Sequence, residues 1–215
     1  MHYSCRDMTK GGVVYSREGQ NGTEKGGKLM ALTYTPVCNF GAKAPDFHLS
    51  DPDGKQWSLQ DCRGERGTLV MFICNHCPYV QAVGTLIVAD TRALLEHGVR
   101  SVAIMPNDYR SYPEDAPKNM RTLATQLEFT FPYLIDETQN VARAYGAVCT
   151  PDFFGYNADL KLQYRGRLDA TTPGRPAPKG ARRELLEAMI GVARTGQGPK
   201  DQTPSQGCSI KWREN

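Results

Sequence analysis

The 215-residue sequence predicts a single α/β domain built on a central mixed sheet. Apolar runs typical of buried strands alternate with segments of helical apolar spacing, which indicates parallel strands joined by helices. Two later strand segments follow each other across a short polar turn, which indicates an antiparallel hairpin. A sheet that contains both kinds of connection is mixed.

Each element follows from a local pattern. Alternation on either side of residues 51–54, Asp-Pro-Asp-Gly, predicts an N-terminal hairpin. The apolar run at 68–74 predicts a strand buried on both faces, and the helical spacing at 78–96 predicts the helix after it. The remaining predicted elements are a strand at 99–105, a helix at 114–127, a strand at 131–135, a helix at 138–145, a hairpin over 152–167 and a helix at 181–193.

The chain divides into three predicted segments. Residues 1–38 contain many glycines and no apolar period, which predicts a disordered leader. Met30 is the alternative native start, if the leader comes from an upstream start-codon assignment. Residues 39–193 form the domain, and residues 194–215 form a mostly polar C-terminal tail.

The composition excludes several classes of protein. With 40% hydrophobic residues, 23% charged residues and a net charge of +3, the chain is neither disordered nor fibrous. Its balanced charge predicts no nucleic-acid or membrane-surface partner. The longest apolar runs are far shorter than the roughly 18 to 20 residues that cross a bilayer. No signal peptide precedes the domain, so a cytoplasmic location is expected.

The seven cysteines include one pair whose spacing indicates chemistry. Cys74-Asn75-His76-Cys77 lies where the buried strand ends and the next helix begins. The free N–H groups and positive dipole of a helix start stabilise a thiolate, and a cationic His76 adds to this effect. We therefore expect Cys74 to have the lowered pKa and to act as the nucleophile. The spacing lets Cys77 attack a mixed disulfide on Cys74 and resolve it.

Thr150-Pro151 stands just before the late hairpin. An X-Pro bond is cis in only about 5 to 6% of cases. The thioredoxin fold, however, keeps a cis-proline opposite its cysteines and ahead of an antiparallel hairpin, where it exposes backbone groups to an extended substrate. We therefore expect a cis bond at Pro151, facing the cysteine pair.

Four ordered motifs resemble a known family; they are FICNHCPYV, CTPDFF, LQYRGRLD and PSQGCSIKW. Together they look like the peroxiredoxin-like thioredoxin-fold proteins of the redoxin superfamily, which includes alkyl hydroperoxide reductase and thiol-specific antioxidant proteins. The resemblance extends from about Phe40 to Trp212. It implies a three-layer thioredoxin-like fold with an N-terminal hairpin and an extra βα insertion before the cis-proline.

The family comparison also separates two enzyme classes. Peroxiredoxins show Pro-x-x-x-Thr-x-x-Cys around the cysteine that attacks peroxide. If Cys77 takes that position, Val70 replaces the proline and Cys74 replaces the threonine. The groups that would orient and polarise the peroxide are then missing. Thiol–disulfide exchange is accordingly the first prediction, and a thiol peroxidase with antioxidant activity is the alternative.

A metal-binding protein is a further alternative. A structural zinc site needs four ligands, and the other candidate cysteines and histidines are scattered along the chain. Soft thiolates beside a histidine suit Cu(I), but CNHCP is one residue shorter than the C-x-x-x-C-P of thioredoxin-fold copper chaperones. We expect no cofactor or resident metal.

Two further cysteines are possible auxiliary thiols. Cys149 adjoins Thr150 and is either close to the redox pair or a small buried residue. Cys208 either folds back as a relay thiol or lies exposed on a C-terminal strand. The residues expected to be passive or at the surface are Cys5, Cys38, Cys62, His48, Arg165 and Arg167.

The sequence thus predicts a thiol–disulfide oxidoreductase. Its predicted catalytic residues are Cys74, His76, Cys77, Thr150 and Pro151. The expected partners are protein or small-molecule disulfides, with thioredoxin or glutathione as the electron donor.

Overall fold

The structure is a computed structural model that describes residues 31–36 and 38–214. Within them lie ten strands and five helices. The strands are β1 (Leu32–Tyr34), β2 (His48–Ser50), β3 (Gln56–Ser58), β4 (Gly67–Phe72), β5 (Val99–Met105), β6 (Tyr133–Ile135), β7 (Cys149–Thr150), β8 (Asp152–Asn157), β9 (Leu162–Tyr164) and β10 (Gln206–Ser209). The helices are α1 (Leu59–Cys62), α2 (Pro78–Leu95), α3 (Pro117–Gln126), α4 (Asn140–Tyr145) and α5 (Glu184–Thr195). The predictions made for residues 1–30 lie outside the described residues.

Seven strands form the central sheet in the order β3-β2-β6-β5-β4-β8-β9. The neighbours β4, β5 and β6 run parallel, whereas the other pairings are antiparallel, so the predicted mixed sheet is confirmed. Every residue of β4 is buried. A central strand with both faces covered needs apolar side chains on each, which explains its continuous apolar run.

The side chains of β4 alternate between two cores. Leu69 and Met71 pack with apolar residues of α2 and α5. Val70 and Phe72 point to the opposite face and pack with α1 and α4. The sheet is therefore the middle layer of three, as predicted. Among the described residues, no helix is long and apolar enough to cross a membrane.

The N-terminal hairpin and the insertion are both present. β2 and β3 pair across a turn in which Asp51 Oδ1 accepts the backbone N–H groups of Asp53 and Lys55, each at 3.0 Å. His48 is exposed on β2, as expected for a residue that is not a buried ligand. Two βα units, β5–α3 and β6–α4, separate α2 from Pro151.

Helix α1 follows the hairpin directly and is not among the predicted elements. The Ser58 hydroxyl accepts the Asp61 backbone N–H at 3.2 Å, and the Asp61 carboxylate accepts the Ser58 N–H at 2.8 Å. This reciprocal capping box stabilises the single turn. Cys62, expected in a turn, instead ends this helix and is buried in the core beneath it.

A second sheet, of order β1-β10-β7, corrects both predicted chain ends. Leu32 pairs with Cys208, and Cys208 pairs in turn with Thr150. Residues 32–34 are thus a strand rather than part of a disordered leader, and residues 206–209 are a strand within the fold rather than part of a tail. Neither segment has a local hydrophobic pattern that would predict a strand. Each becomes a strand because its backbone hydrogen bonds are made with residues far along the chain.

Candidate active site

The CNHC segment connects β4 to α2. The Ile73 N–H donates to the Ile104 carbonyl at 3.1 Å, where the chain leaves the sheet. Helix α2 begins at Pro78 with Cys77 as its N-cap, and proline suits the first helical position because the N–H there has no helical partner. Cys74 and Cys77 are 1% and 0% exposed. Both thiols are therefore held inside the protein at the start of a long helix.

Thr150 contacts both thiols of the pair. Its hydroxyl oxygen lies 3.3 Å from Cys74 Sγ, and its carbonyl oxygen lies 3.0 Å from Cys77 Sγ. The Thr150–Pro151 peptide bond is cis. The structure thus brings Cys74, Cys77, Thr150 and Pro151 together, although the two pairs are more than 70 positions apart in the chain.

Hydrogen bonding among the thiols makes the pKa of Cys77 lower than that of Cys74. The sulfur of Cys77 accepts hydrogen bonds from Cys208 and Cys74, and these lower the pKa of Cys77 against the effect of burial. Donation to Cys77, together with burial, raises the pKa of Cys74. This order is the reverse of the one expected from the sequence.

His76 is held by a buried carboxylate. Its Nδ1 lies 2.8 Å from Oδ2 of Asp115, which is fully buried. Asp115 Oδ1 accepts the backbone N–H groups of Asn75 at 2.8 Å and of His76 at 3.3 Å. Asn107 Nδ2 donates to Oδ2 at 2.7 Å. The Asp115 carboxylate beside the ring raises the pKa of His76. The imidazole is thereby oriented, with its side chain 18% exposed.

Asp115, Asn107 and Tyr133 also belong to the site, although none of them lies in a motif that predicts it. The Tyr133 hydroxyl donates to Asn75 Oδ1 at 3.1 Å and so also supports the loop. A topological signal was available for Asp115. It follows β5, and the carboxyl ends of neighbouring parallel strands meet at one edge of the sheet, where ligand sites form.

One group of side chains in the described part of the chain has the spacing of metal ligands. Cys74, His76 and Asp115 each offer an atom within 4.8 Å of the others. Both Asp115 oxygens already accept hydrogen bonds, so a metal would compete with those contacts. Of the additional zinc ligands considered from the sequence, His76 belongs to this group, whereas Cys149, Cys208 and His48 do not.

The structure distinguishes the two auxiliary cysteines. Cys208 is 4% exposed and lies in the same buried cluster as Cys77; hydrogen bonding with Cys77 and burial raise the pKa of Cys208. Cys149 is also buried, but its Sγ lies 3.6 Å from the Pro151 carbonyl oxygen. Burial raises the pKa of Cys149. Cys208 therefore folds back onto the pair, whereas Cys149 packs beside Pro151.

Arg165 is buried rather than a surface charge. Its Nη2 lies 3.0 Å from Asp152 Oδ2 and donates to the Gly146 carbonyl at 2.7 Å. Burial raises the pKa of Asp152 to about 6, although the Arg165 charge opposes this shift. Arg167 remains part-exposed and pairs with Glu184 at 2.6 Å. Arg165 thus neutralises a buried carboxylate one residue after Pro151.

Comparison with known proteins identifies the family. The model of the AhpC/TSA family matches residues 40–167. Thiol-disulfide oxidoreductase ResA from Geobacillus thermodenitrificans is 31% identical over 152 residues, which are 63% of this chain and 78% of that protein. The crystal structure of an uncharacterized conserved protein from Geobacillus kaustophilus is 42% identical, with a TM-score of 0.80 over 86% of this chain and 98% of that one.

A more distant structure shows the same fold. The thioredoxin domain of a thiol-disulfide oxidoreductase from Bacteroides vulgatus has a TM-score of 0.50 at 17% identity, over 60% of this chain and 89% of that one. The predicted thioredoxin-like fold is therefore confirmed. Because the family model spans more than half of the sequence, the chain belongs to the AhpC/TSA family.

Proposed function

We propose that this protein is a thiol–disulfide oxidoreductase whose redox pair is Cys74 and Cys77. The observation that carries the proposal is that both thiols are buried together at the start of α2, with Thr150 touching each of them. Thiols in contact need only a small movement to form a disulfide. The family and the similarity to ResA support the same chemistry.

The position of the thiolate determines the proposed order of steps. Because the thiolate is the nucleophile, we assign the first attack to Cys77, which reverses the roles predicted from the sequence. Cys77 attacks a substrate disulfide, a Cys77–substrate bond forms, and one substrate thiolate leaves. Cys74 then loses its proton and attacks the Cys77 sulfur. This closes the Cys74–Cys77 disulfide, releases the second substrate thiolate and transfers two electrons to the substrate.

His76 is the proposed acceptor of the Cys74 proton. Its ring lies within 4.8 Å of the Cys74 sulfur, and Asp115 orients it and stabilises its protonated form. The proposed substrates are protein or small-molecule disulfides. Thioredoxin or glutathione, both found in a reducing cytoplasm, would return electrons to the oxidised pair.

A redox titration tests the proposal. The protein is equilibrated in glutathione or thioredoxin buffers of stepped potential, its thiols are alkylated, and tryptic peptides are weighed. Residues 67–92 form one tryptic peptide that contains both Cys74 and Cys77, and residues 56–63 form a control peptide that contains Cys62. We expect a two-electron transition within peptide 67–92 and none in the control. Failure to form this disulfide at any potential would contradict the proposal.

A thiol peroxidase is the second candidate. The lowered pKa of Cys77 at a helix N-cap favours it, because a stabilised thiolate is the form that reacts with peroxide. Val70 and Cys74 still replace the proline and threonine of the peroxiredoxin motif. Stopped-flow measurement of peroxide loss decides between the candidates: a rate close to that of free cysteine rejects the peroxidase.

A further inference from the structure

Cys208 places a third thiol against the redox pair. It lies on β10 opposite Thr150, the residue that contacts both Cys74 and Cys77. Its thiol is buried and belongs to the same packed core cluster as Cys74 and Cys77. The preceding Gly207 packs so tightly that an added Cβ would collide with the Thr150 carbonyl oxygen. Close strand packing therefore holds Cys208 at the pair.

We propose that Cys208 is a second resolving thiol, so that Cys77 forms a disulfide with either Cys74 or Cys208. This inference rests on the proposed function, because the Cys74–Cys77 disulfide is its starting point. The Cys208 thiolate attacks the Cys77 sulfur; the Cys77–Cys208 bond forms as the Cys74–Cys77 bond breaks. Cys74 leaves as a thiolate and takes up the proton that Cys208 released. The exchange is internal, so it needs no further oxidant or reductant.

The second disulfide changes what the oxidised protein can do. A Cys74–Cys77 bond links positions within one loop, whereas a Cys77–Cys208 bond ties the start of α2 to β10. β10 in turn holds β1 and β7, so the new bond connects the small sheet covalently to the active-site helix. Cys74 becomes a free thiol beside His76. The oxidised enzyme then still has a thiol with which to attack a second disulfide.

Cys149 supplies the matched control for a passive buried thiol. It is 0% exposed and lies on β7, next to Thr150, just as Cys208 is buried on the adjacent strand. Its thiol is directed to the Pro151 carbonyl oxygen rather than hydrogen-bonded to Cys77. If burial near the pair were sufficient for disulfide formation, Cys149 and Cys208 would both form a disulfide with Cys77. If contact with Cys77 decides, only Cys208 will pair with it.

The test uses the full-length Cys74→Ser variant treated with oxidised glutathione. After alkylation and trypsin digestion, a Cys77–Cys208 disulfide joins peptide 67–92 to peptide 201–211, the fragment that contains Cys208. We expect this cross-link at the potentials where the wild-type pair titrates. The Cys74→Ser/Cys208→Ser variant should instead retain glutathione on Cys77, in a fraction at least about tenfold higher. The Cys74→Ser/Cys149→Ser control should still form the cross-link.

The outcomes separate this inference from the proposed function. A Cys74→Ser protein that keeps glutathione on Cys77 without the cross-link overturns the inference, while a wild-type Cys74–Cys77 disulfide leaves the oxidoreductase proposal standing. A wild-type protein that forms no disulfide in peptide 67–92 overturns both. Circular dichroism checks that each variant is folded. If Cys74→Ser is unfolded, partially oxidised wild-type protein is digested instead, and the absence of the cross-link there overturns the inference.

Discussion

Nδ1 of His76 lies 2.8 Å from Oδ2 of Asp115, a carboxylate with no exposed surface. The same carboxylate accepts two backbone N–H groups of the CNHC loop. Asp115, in the segment that follows β5, therefore holds both the backbone of the CNHC loop and the imidazole ring within it. In the proposed mechanism, Asp115 acts on the reaction through His76 and is a positioning residue rather than a catalytic one.

Replacing Asp115 should change the titration of His76. Asp115→Asn keeps the side-chain volume and removes the negative charge. We expect the pKa of His76 to fall, because its hydrogen bond to the carboxylate is the largest cause of its raised value. An NMR titration of the His76 ring in both proteins measures this shift. An unchanged pKa in a folded variant would show that Asp115 does not control His76.

The raised pKa of His76 also makes stability depend on pH. The folded protein binds this proton more tightly than the unfolded chain, whose histidine has a pKa near 6.5. The stabilisation is complete below that value and is lost as pH rises through the higher folded pKa. Urea unfolding of wild type and His76→Gln should show a larger difference at pH 5.5 than at pH 8.5. Equal differences would contradict the prediction.

The Thr150 hydroxyl should tune the reactivity of Cys74. Its hydrogen bond lowers the pKa of Cys74, so Thr150→Val in a Cys77→Ser background should raise that pKa. A hydrogen bond to a charged group contributes about 1.5 to 3 kcal/mol, which corresponds to slower alkylation by roughly tenfold or more near neutral pH. Iodoacetamide rates across pH measure this effect. Thr91→Val is the control, because the Thr91 hydroxyl donates to Ile87 within α2.

Two arginines on the same loop should differ in their effect on stability. Arg165→Met leaves Asp152 buried without its partner, and we expect a loss of about 3 to 5 kcal/mol at pH 8. The loss should shrink as pH falls and be small below pH 6, because Asp152 has a pKa of about 6 beside Arg165 and a higher one without that charge, so it becomes neutral in both proteins. Arg167→Met removes a part-exposed pair and should cost below about 1 kcal/mol. Urea unfolding at pH 8 and pH 5 compares them; similar losses would contradict the prediction.

Two glycines provide a test of strand packing at the site. Gly207→Ala places a Cβ against the Thr150 carbonyl, so β10 must shift, at a cost of about 1 to 3 kcal/mol. Gly191→Ala in α5 meets open space and should stabilise the helix by up to about 1 kcal/mol. Thermal unfolding of both variants measures the difference. A Gly207→Ala protein as stable as wild type would mean that β10 does not pack tightly on Thr150.

Several features of the fold and the site are predictable because their signals are local. The run TLVMFIC indicates a strand with two covered faces, and the helical spacing of Val80, Val83 and Ile87 indicates α2. The same holds for the N-terminal hairpin. The position of Cys74 and Cys77 at a strand–helix junction follows from these two elements. In each case the signal is a period of two or 3.6 residues within one short segment.

The α/β class, the order of most elements and the placement of the cysteine pair all follow from local patterns of residues. The folding of the whole chain packs Cys208 into one cluster with Cys77, holds His76 against Asp115 and buries Arg165 with Asp152. It also decided which cysteine is the N-cap, because the first residue of a helix depends on how the preceding loop is held. These contacts join residues from distant parts of the chain. No local period encodes them, since they depend on how strands such as β10 return to the sheet through hydrogen bonds with remote partners.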